Sequence, residues 1–194
     1  VVVMPDGGKS FYTDMVAGDR YWTYLSEELP KQMSAYFKIS ERRCDHFAMG
    51  LSMGAYGALK LGLAHSDSFQ AVAGFSGVVD VAKFWMRLKE EGNLIPFCTV
   101  LPDFEAIFGK MEQIRGTEND LYHLLEGVCR EECPDIQLYC GTEDFLLEDN
   151  QRFYQRMADK KLPCSLEVFE GGHEWEFWGK ALKKAFEVFP FRKY

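Results

Sequence analysis

Long apolar runs are missing from this sequence: none approaches the roughly 18 residues that a membrane span requires. Basic stripes are missing too. Lysine and arginine number 22 against 30 acidic residues, giving a net charge of −8. The lysine pairs (Lys160-Lys161, Lys183-Lys184) and the arginine pair Arg42-Arg43 are scattered, which argues against nucleic acid as a partner. Repeats, low-complexity tracts and a glycine-rich phosphate loop are likewise absent. Six cysteines lie without the spacing of a small disulfide scaffold, so they read as free thiols of a reducing, cytoplasmic setting, with secretion as the alternative. Cys129-x-x-x-Cys133 with His123 nearby lacks a fourth metal ligand. No metal or cofactor is expected.

With 47% apolar and 15% aromatic residues, the chain can bury one sizeable core, and one domain over 1–194 is the expectation. "VVVMP" is a β-branched run closed by Pro5-Asp6-Gly7-Gly8 and reads as a buried parallel strand in which the chain starts abruptly. Trp22, Leu25, Leu29, Met33 and Phe37 recur at helical intervals through residues 20 to 38, with Pro30 expected to kink or divide that helix. "CDHFAMG", "AVAGFSG", "DIQLYCG" and "SLEVFEG" read as further strands. Helices are expected over 54–65, Gln151 to Lys160, and 177–189. Strands alternating with helices define an α/β class with a mainly parallel sheet. Between residues 80 and 130 the alternation breaks, and that segment reads as a cap-like insertion over the sheet end.

The stretch "MGLSMGAYG" sets Ser52 between Gly50 and Gly54, after a strand and before a helix. G-x-S-x-G arises by chance in many glycine-rich chains, so the strand-to-helix context matters more than the letters. On such a turn the serine backbone is strained, small flanking residues avoid clashes, and the helix N-terminus favours developing negative charge. A base is then required, and only four histidines compete. His46 lies in the strand before the turn, and His65 is carried roughly 20 Å away by its helix. His123 reads as a surface or packing residue of the insertion. His173, after a strand and two glycines, is left in a loop that can reach inward. For the acid, Asp144 of "CGTEDFLLEDN" is best placed, with Glu143 as fallback and Asp149 as a helix starter. The bland alternative makes "GTED" a polar turn and His173 a packed loop residue.

On these residues, together with "MPDGGKSFYTD", "YLSEELP", "IFG", "IRGTENDLYHLL" and "GGHEWEFW", the chain resembles the esterase D-type α/β-hydrolases. That group includes tributyrin, feruloyl and acetyl-xylan esterases, S-formylglutathione hydrolases and mycolyltransferases. The resemblance implies an α/β-hydrolase fold, a triad of Ser52, Asp144 and His173, and Met53 as one oxyanion N–H donor. It also implies several strands and a His-Gly type loop upstream of "VVVMP", the loop giving the second oxyanion donor. This chain holds none of them, and one such strand would separate "VVVMP" from "CDHFAMG". The expectation is therefore a sheet without its N-terminal strands, with the upstream segment truncated or carried on another chain. Phe11, Tyr12, Trp85, Phe97 and Trp175 are candidates for a substrate pocket, against the reading that the insertion's aromatics form their own core. The activity expected is hydrolysis of short-chain or aryl carboxylic esters by a serine carboxylesterase. The rivals are an acyltransferase or thioesterase on the same triad, or a non-catalytic hydrolase-like binding module. The partner expected is a small ester, with a homo-oligomer as the assembly to test for.

Overall fold

The computed structural model describes residues 1–92 and 102–191. Four parallel strands, β1 (Phe47–Leu51), β2 (Ala71–Phe75), β3 (Asp135–Gly141) and β4 (Cys164–Phe169), lie side by side in chain order. Because all four run the same way, their C-terminal ends share one rim, where open α/β sheets place ligands. The helices are α1 (Tyr21–Thr23), α2 (Leu29–Tyr36), α3 (Met53–Ala64), α4 (Val81–Glu91), α5 (Phe104–Phe108), α6 (Leu121–Gly127), α7 (Leu147–Asp159) and α8 (Trp175–Val188).

The period-two geometry of β2 sorts its side chains to opposite faces. Val72 joins the larger core with Leu59 and Leu63 of α3 and Phe153 and Met157 of α7. Ala71, Ala73 and Phe75 turn to the other face and meet Phe177, Trp178, Ala181 and Ala185 of α8. With helices on both faces, β2 is buried throughout and reads as an unbroken apolar run. Segments 81–91, 104–108 and 121–127 each start on an aspartate cap (Asp80, Asp103 and Asp120) whose carboxylate accepts a first-turn N–H. Among the described residues, no helix is long and apolar enough to cross a membrane.

Two expectations need correction and a third takes a more specific form. "VVVMP" forms no strand, and Val1, Val2 and Met4 are exposed. A strand requires a ladder partner, and among the described residues none lies beside this run. The helix expected over 20–38 is interrupted ahead of Pro30: α1 gives way to a π-helical turn over Tyr24–Glu28, and α2 starts at Leu29 with Pro30 in its first turn, where its missing N–H costs least. Helix α7 starts at Leu147 rather than Gln151, so Asp149 lies inside its first turn, where it is buried and paired with Lys83 (2.6 Å) and Arg152 (3.0 Å).

Helix α3 is apolar almost all round, yet it carries Lys60 fully buried. Its ammonium donates to Asn119 Oδ1 (2.8 Å) and sits 4.0 Å over the Trp22 ring. Burial still dominates and pushes Lys60 down to about 8 from its ordinary 10.5. Below pH 8 the amine is charged in folded and unfolded chains alike, and the burial cost is fully present. As pH rises towards 10.5 only the unfolded chain keeps its proton, so stability rises. Lys60→Met should therefore stabilise the protein relative to wild type at pH 7. That advantage should shrink by an amount on the order of 3 kcal/mol by pH 10.5, measured by urea midpoints at both ends. A difference constant with pH would refute the assignment.

Candidate active site

Each strand delivers one side chain to the rim. Ser52 follows β1 with φ 52° and ψ −115°, a left-handed backbone that a non-glycine residue rarely adopts. The turn is held by Ser52 N–H donating to the Phe75 carbonyl (2.9 Å), while the Ser52 carbonyl accepts from Tyr56 (3.3 Å) and Val78 (3.4 Å). The two glycines of the motif are not equivalent. A Cβ on Gly50 would lie 2.2 Å from the Gly54 carbonyl oxygen, whereas one on Gly54 would meet only the Tyr12 hydroxyl at 3.8 Å. Close approach therefore requires glycine at 50 and not at 54, a correction to the symmetric reading of the motif.

After β4 the chain turns through Gly171 and Gly172 and brings His173 over the rim. Gly141 permits this, since a Cβ there would lie 2.1 Å from the Gly171 carbonyl oxygen. The same carbonyl accepts from Glu143 N–H (3.0 Å), which stitches the β3 and β4 loops together. His173 Nε2 lies 2.9 Å from Ser52 Oγ, and its Nδ1 lies 3.0 and 3.3 Å from the two Asp144 oxygens. A carboxylate only accepts, so Nδ1 carries the proton and Nε2 presents its lone pair to the serine hydroxyl.

Asp144 and His173 are both buried. Burial alone would raise the Asp144 carboxyl. Hydrogen bonds from His173, Ser76 and the Leu146 N–H (2.9 Å), with the attraction of the imidazole, outweigh it and hold the group below its ordinary range. Glu143, the fallback acid, is exposed. Met53 opens α3, so its N–H has no acceptor four residues back and faces the helix's positive end.

The other histidines are accounted for. His46 lies just before β1, with its ring nitrogens 2.6 Å from the Ser40 carbonyl and 3.2 Å from that of Ser68. His65 closes α3 and stacks on Trp22, and His123 is exposed on α6. The proposed pocket aromatics separate into groups. Phe11 and Trp85 are buried and packed on Phe104, at 5.3 and 5.4 Å between ring centroids; Trp85 keeps an edge on a surface hollow that it shares with Lys89, Glu105 and Met111. That corrects the pocket expectation for Phe11, and both rings belong to the larger core with Leu59 and Val72 and not to a separate core of the insertion. Phe97 lies outside the described residues. Tyr12 is wedged between Gly7 and Gly57 with its hydroxyl near Gly54, and Trp175 is 71% exposed at the start of α8.

Three neighbours of the site escaped the sequence reading. Trp178 meets His173 edge-to-face at 4.9 Å, and Phe145 lies 4.7 Å from the same imidazole on its tilted side. Ser76, at the end of β2, accepts a hydrogen bond from Trp178 Nε1 (3.0 Å). The only signals were a second serine at a strand end in "GFSG" and a tryptophan one helical turn beyond the base loop.

A parallel sheet between helices, with a Ser–His–Asp chain on its C-terminal rim, is the arrangement of a serine hydrolase of the α/β-hydrolase fold. The sequence profile of the family described as "Putative esterase" matches residues 1–189, and the chain belongs to that family, whose members act on ester bonds. It is 29% identical over 189 residues to an acetyl esterase of Caldicellulosiruptor saccharolyticus, covering 96% of this chain and 70% of that protein. Two Staphylococcus aureus structures are also similar, and in each the match covers 95% of this chain and 69% of the other. These are the fluorophosphonate-binding serine hydrolase FphF (31% identity, TM-score 0.81) and the S-formylglutathione hydrolase FrmB (32%, 0.79).

Proposed function

We propose that the protein is a serine carboxylesterase acting on small carboxylic esters through an acyl-enzyme. The observation that carries this reading is the continuous chain from Ser52 Oγ through His173 to Asp144, with contacts of 2.9 and 3.0 Å. Ser52 Oγ attacks the ester carbonyl carbon as His173 Nε2 takes its proton. The carbonyl oxygen becomes an oxyanion next to the Met53 N–H. When the tetrahedral adduct collapses, the bond to the alkoxy oxygen breaks and the imidazolium protonates the leaving alcohol. Water then enters along the same path, giving its proton to His173 as it attacks the acyl carbon. Collapse releases the carboxylic acid and returns the proton to Ser52. Asp144 fixes the imidazole tautomer and stabilises its charged form.

A thioester substrate is the second reading, favoured by the likeness to an S-formylglutathione hydrolase. The chemistry differs only in a thiol leaving group. Cys129, Cys133, Cys140 and Cys164 are free thiols, which fits a reducing cytoplasmic setting. A fluorophosphonate probe should form one adduct, mapped by peptide mass spectrometry to Ser52. Labelling at another serine, or none, would refute the assignment. Parallel assays with p-nitrophenyl acetate, longer acyl esters and S-formylglutathione rank the two substrate classes.

A further inference from the structure

The segments that hold the nucleophile and the acid meet at one buried amide. Asn150, in the first turn of α7, is fully buried and has no part in the chemistry described above. Its Nδ2 lies 2.9 Å from the Gly77 carbonyl oxygen and 2.9 Å from that of Leu146. Carbonyls only accept, so the amide turns its NH2 group towards them and both hydrogens are used. Oδ1, on the other side, meets no donor among the described residues. An unpaired buried acceptor is a cost that a leucine of similar shape would not carry. What asparagine has and leucine lacks is the grip on two carbonyls.

Each carbonyl belongs to a segment that holds one member of the triad. Ser52 N–H donates to the Phe75 carbonyl (2.9 Å) and the Ser52 carbonyl accepts from Val78 N–H (3.4 Å), so residues 75–78 bracket the nucleophile's backbone. Gly77 sits inside that bracket and against the first turn of α3, where a Cβ on it would lie 3.2 Å from Ala55 Cβ. On the acid side, the Leu146 N–H donates to Asp144 Oδ1 (2.9 Å) and the Leu147 N–H to the Asp144 carbonyl (3.0 Å). The ladder between β2 and β3 ends at Phe75 and Tyr139, with one further bond from Ser76 N–H to the Tyr139 carbonyl (2.7 Å). Past that point the Asn150 amide ties the two segments. Arg87 also holds the acid loop, donating to the Phe145 carbonyl (3.1 Å), which keeps that loop in place if Asn150 is replaced.

We propose that Asn150 is a positioning residue: the two hydrogens of its side-chain amide pin the segment that brackets Ser52 to the segment that holds Asp144, and so fix the gap that His173 spans. The planar NH2 group sets its hydrogens at a fixed angle, so the grip constrains direction as well as distance. One rigid imidazole must reach Ser52 Oγ at 2.9 Å and Asp144 at 3.0 Å. A drift of about an ångström between the two segments breaks one of those contacts. The tether stands on the geometry alone, and its kinetic consequence rests on the serine-esterase reading.

Three variants test it. Asn150→Leu keeps the shape and removes both donors, and Asn150→Ala removes them and opens a cavity as well. Met157→Ala opens a cavity two turns further along the same face of α7, about 10 Å from Asn150. With p-nitrophenyl acetate, in buffer where urea titration shows each variant fully folded, both Asn150 variants should lose roughly ten- to hundredfold in kcat, with KM within about twofold. Their labelling by a fluorophosphonate should slow in proportion. The two losses should be alike although Asn150→Ala is the less stable, and Met157→Ala should keep wild-type kcat. Folded Asn150→Leu with wild-type kcat overturns the proposal, and so does a kcat that falls in step with stability across the three variants. The wild-type protein gives a second check that needs no turnover. Both Nδ2 protons of Asn150 should exchange slowly with solvent by NMR, and free exchange of either one overturns the tether. Wild-type protein that turns over no ester and takes up no probe would count against the esterase reading. In that case, or if neither Asn150 variant folds, the exchange measurement decides.

Discussion

Ser52→Ala is expected to lower kcat for p-nitrophenyl acetate by roughly 10⁶-fold while leaving the protein folded. The effect is large because the hydroxyl that would form the acyl intermediate is the group held 2.9 Å from His173 Nε2. Without it, what remains is ester bound beside a helix N-terminus. Asp144→Asn should cost about 10⁴-fold by a different route. The asparagine amide would donate where the carboxylate accepts, turning the imidazole to the wrong tautomer while Ser52 stays in place. The two losses should not multiply in the double variant, since both groups act through one proton path. Stopped assays at high enzyme concentration, with circular dichroism as the control for folding, measure all three. Ser52→Ala retaining more than about a hundredth of wild-type turnover would sink the assignment.

Gly50→Ala should be severely damaging, and Gly54→Ala mild. At Gly50 the added carbon would sit 2.2 Å from a carbonyl oxygen and 2.9 Å from the Ala55 nitrogen, all backbone atoms that cannot swing aside. Relief requires α3 to slide off β1, which carries Ser52 with it. The expected loss is about 3 kcal/mol of stability or more, together with roughly a hundredfold in kcat from misplacing the serine by an ångström. At Gly54 the same methyl has room and sits in a helix, where alanine is favoured over glycine by about 0.5–1 kcal/mol. Urea midpoints of opposite sign at the two positions are the result to look for. Equal destabilisation would mean that the turn is packed differently.

That contrast shows where a linear reading succeeds and where it stops. Ser52, Asp144 and His173 were legible because each follows a strand with a strong apolar signature. The order of nucleophile, acid and base along the chain left few candidates. The four strands were readable for the same reason. "VVVMP" misled because β-branched residues report a preference for extended backbone, not the presence of a partner to pair with. Pro30 marked an interruption of its helix, but the π-helical form of that interruption is invisible to a period of 3.6. Phe11 and Trp85 read as pocket aromatics because burial depends on what the insertion folds against, which spacing does not encode. Ser76 and Trp178 were silent for a related reason. Their link is one contact across 102 residues, and nothing local to either marks it.

The strand order carries a consequence for how the protein comes into being. Sheet neighbours follow chain order, and Ser52 sits just after β1 while His173 sits beyond β4, 121 residues later. During synthesis from the N-terminus, Ser52 and its helix start are complete long before His173 exists. The serine therefore stays an ordinary alcohol until the final strand has paired and α8 has packed Trp178 against the imidazole. On the serine-esterase reading, reactivity towards a fluorophosphonate should therefore appear only once β4 has paired, and a chain trapped before that step should not label.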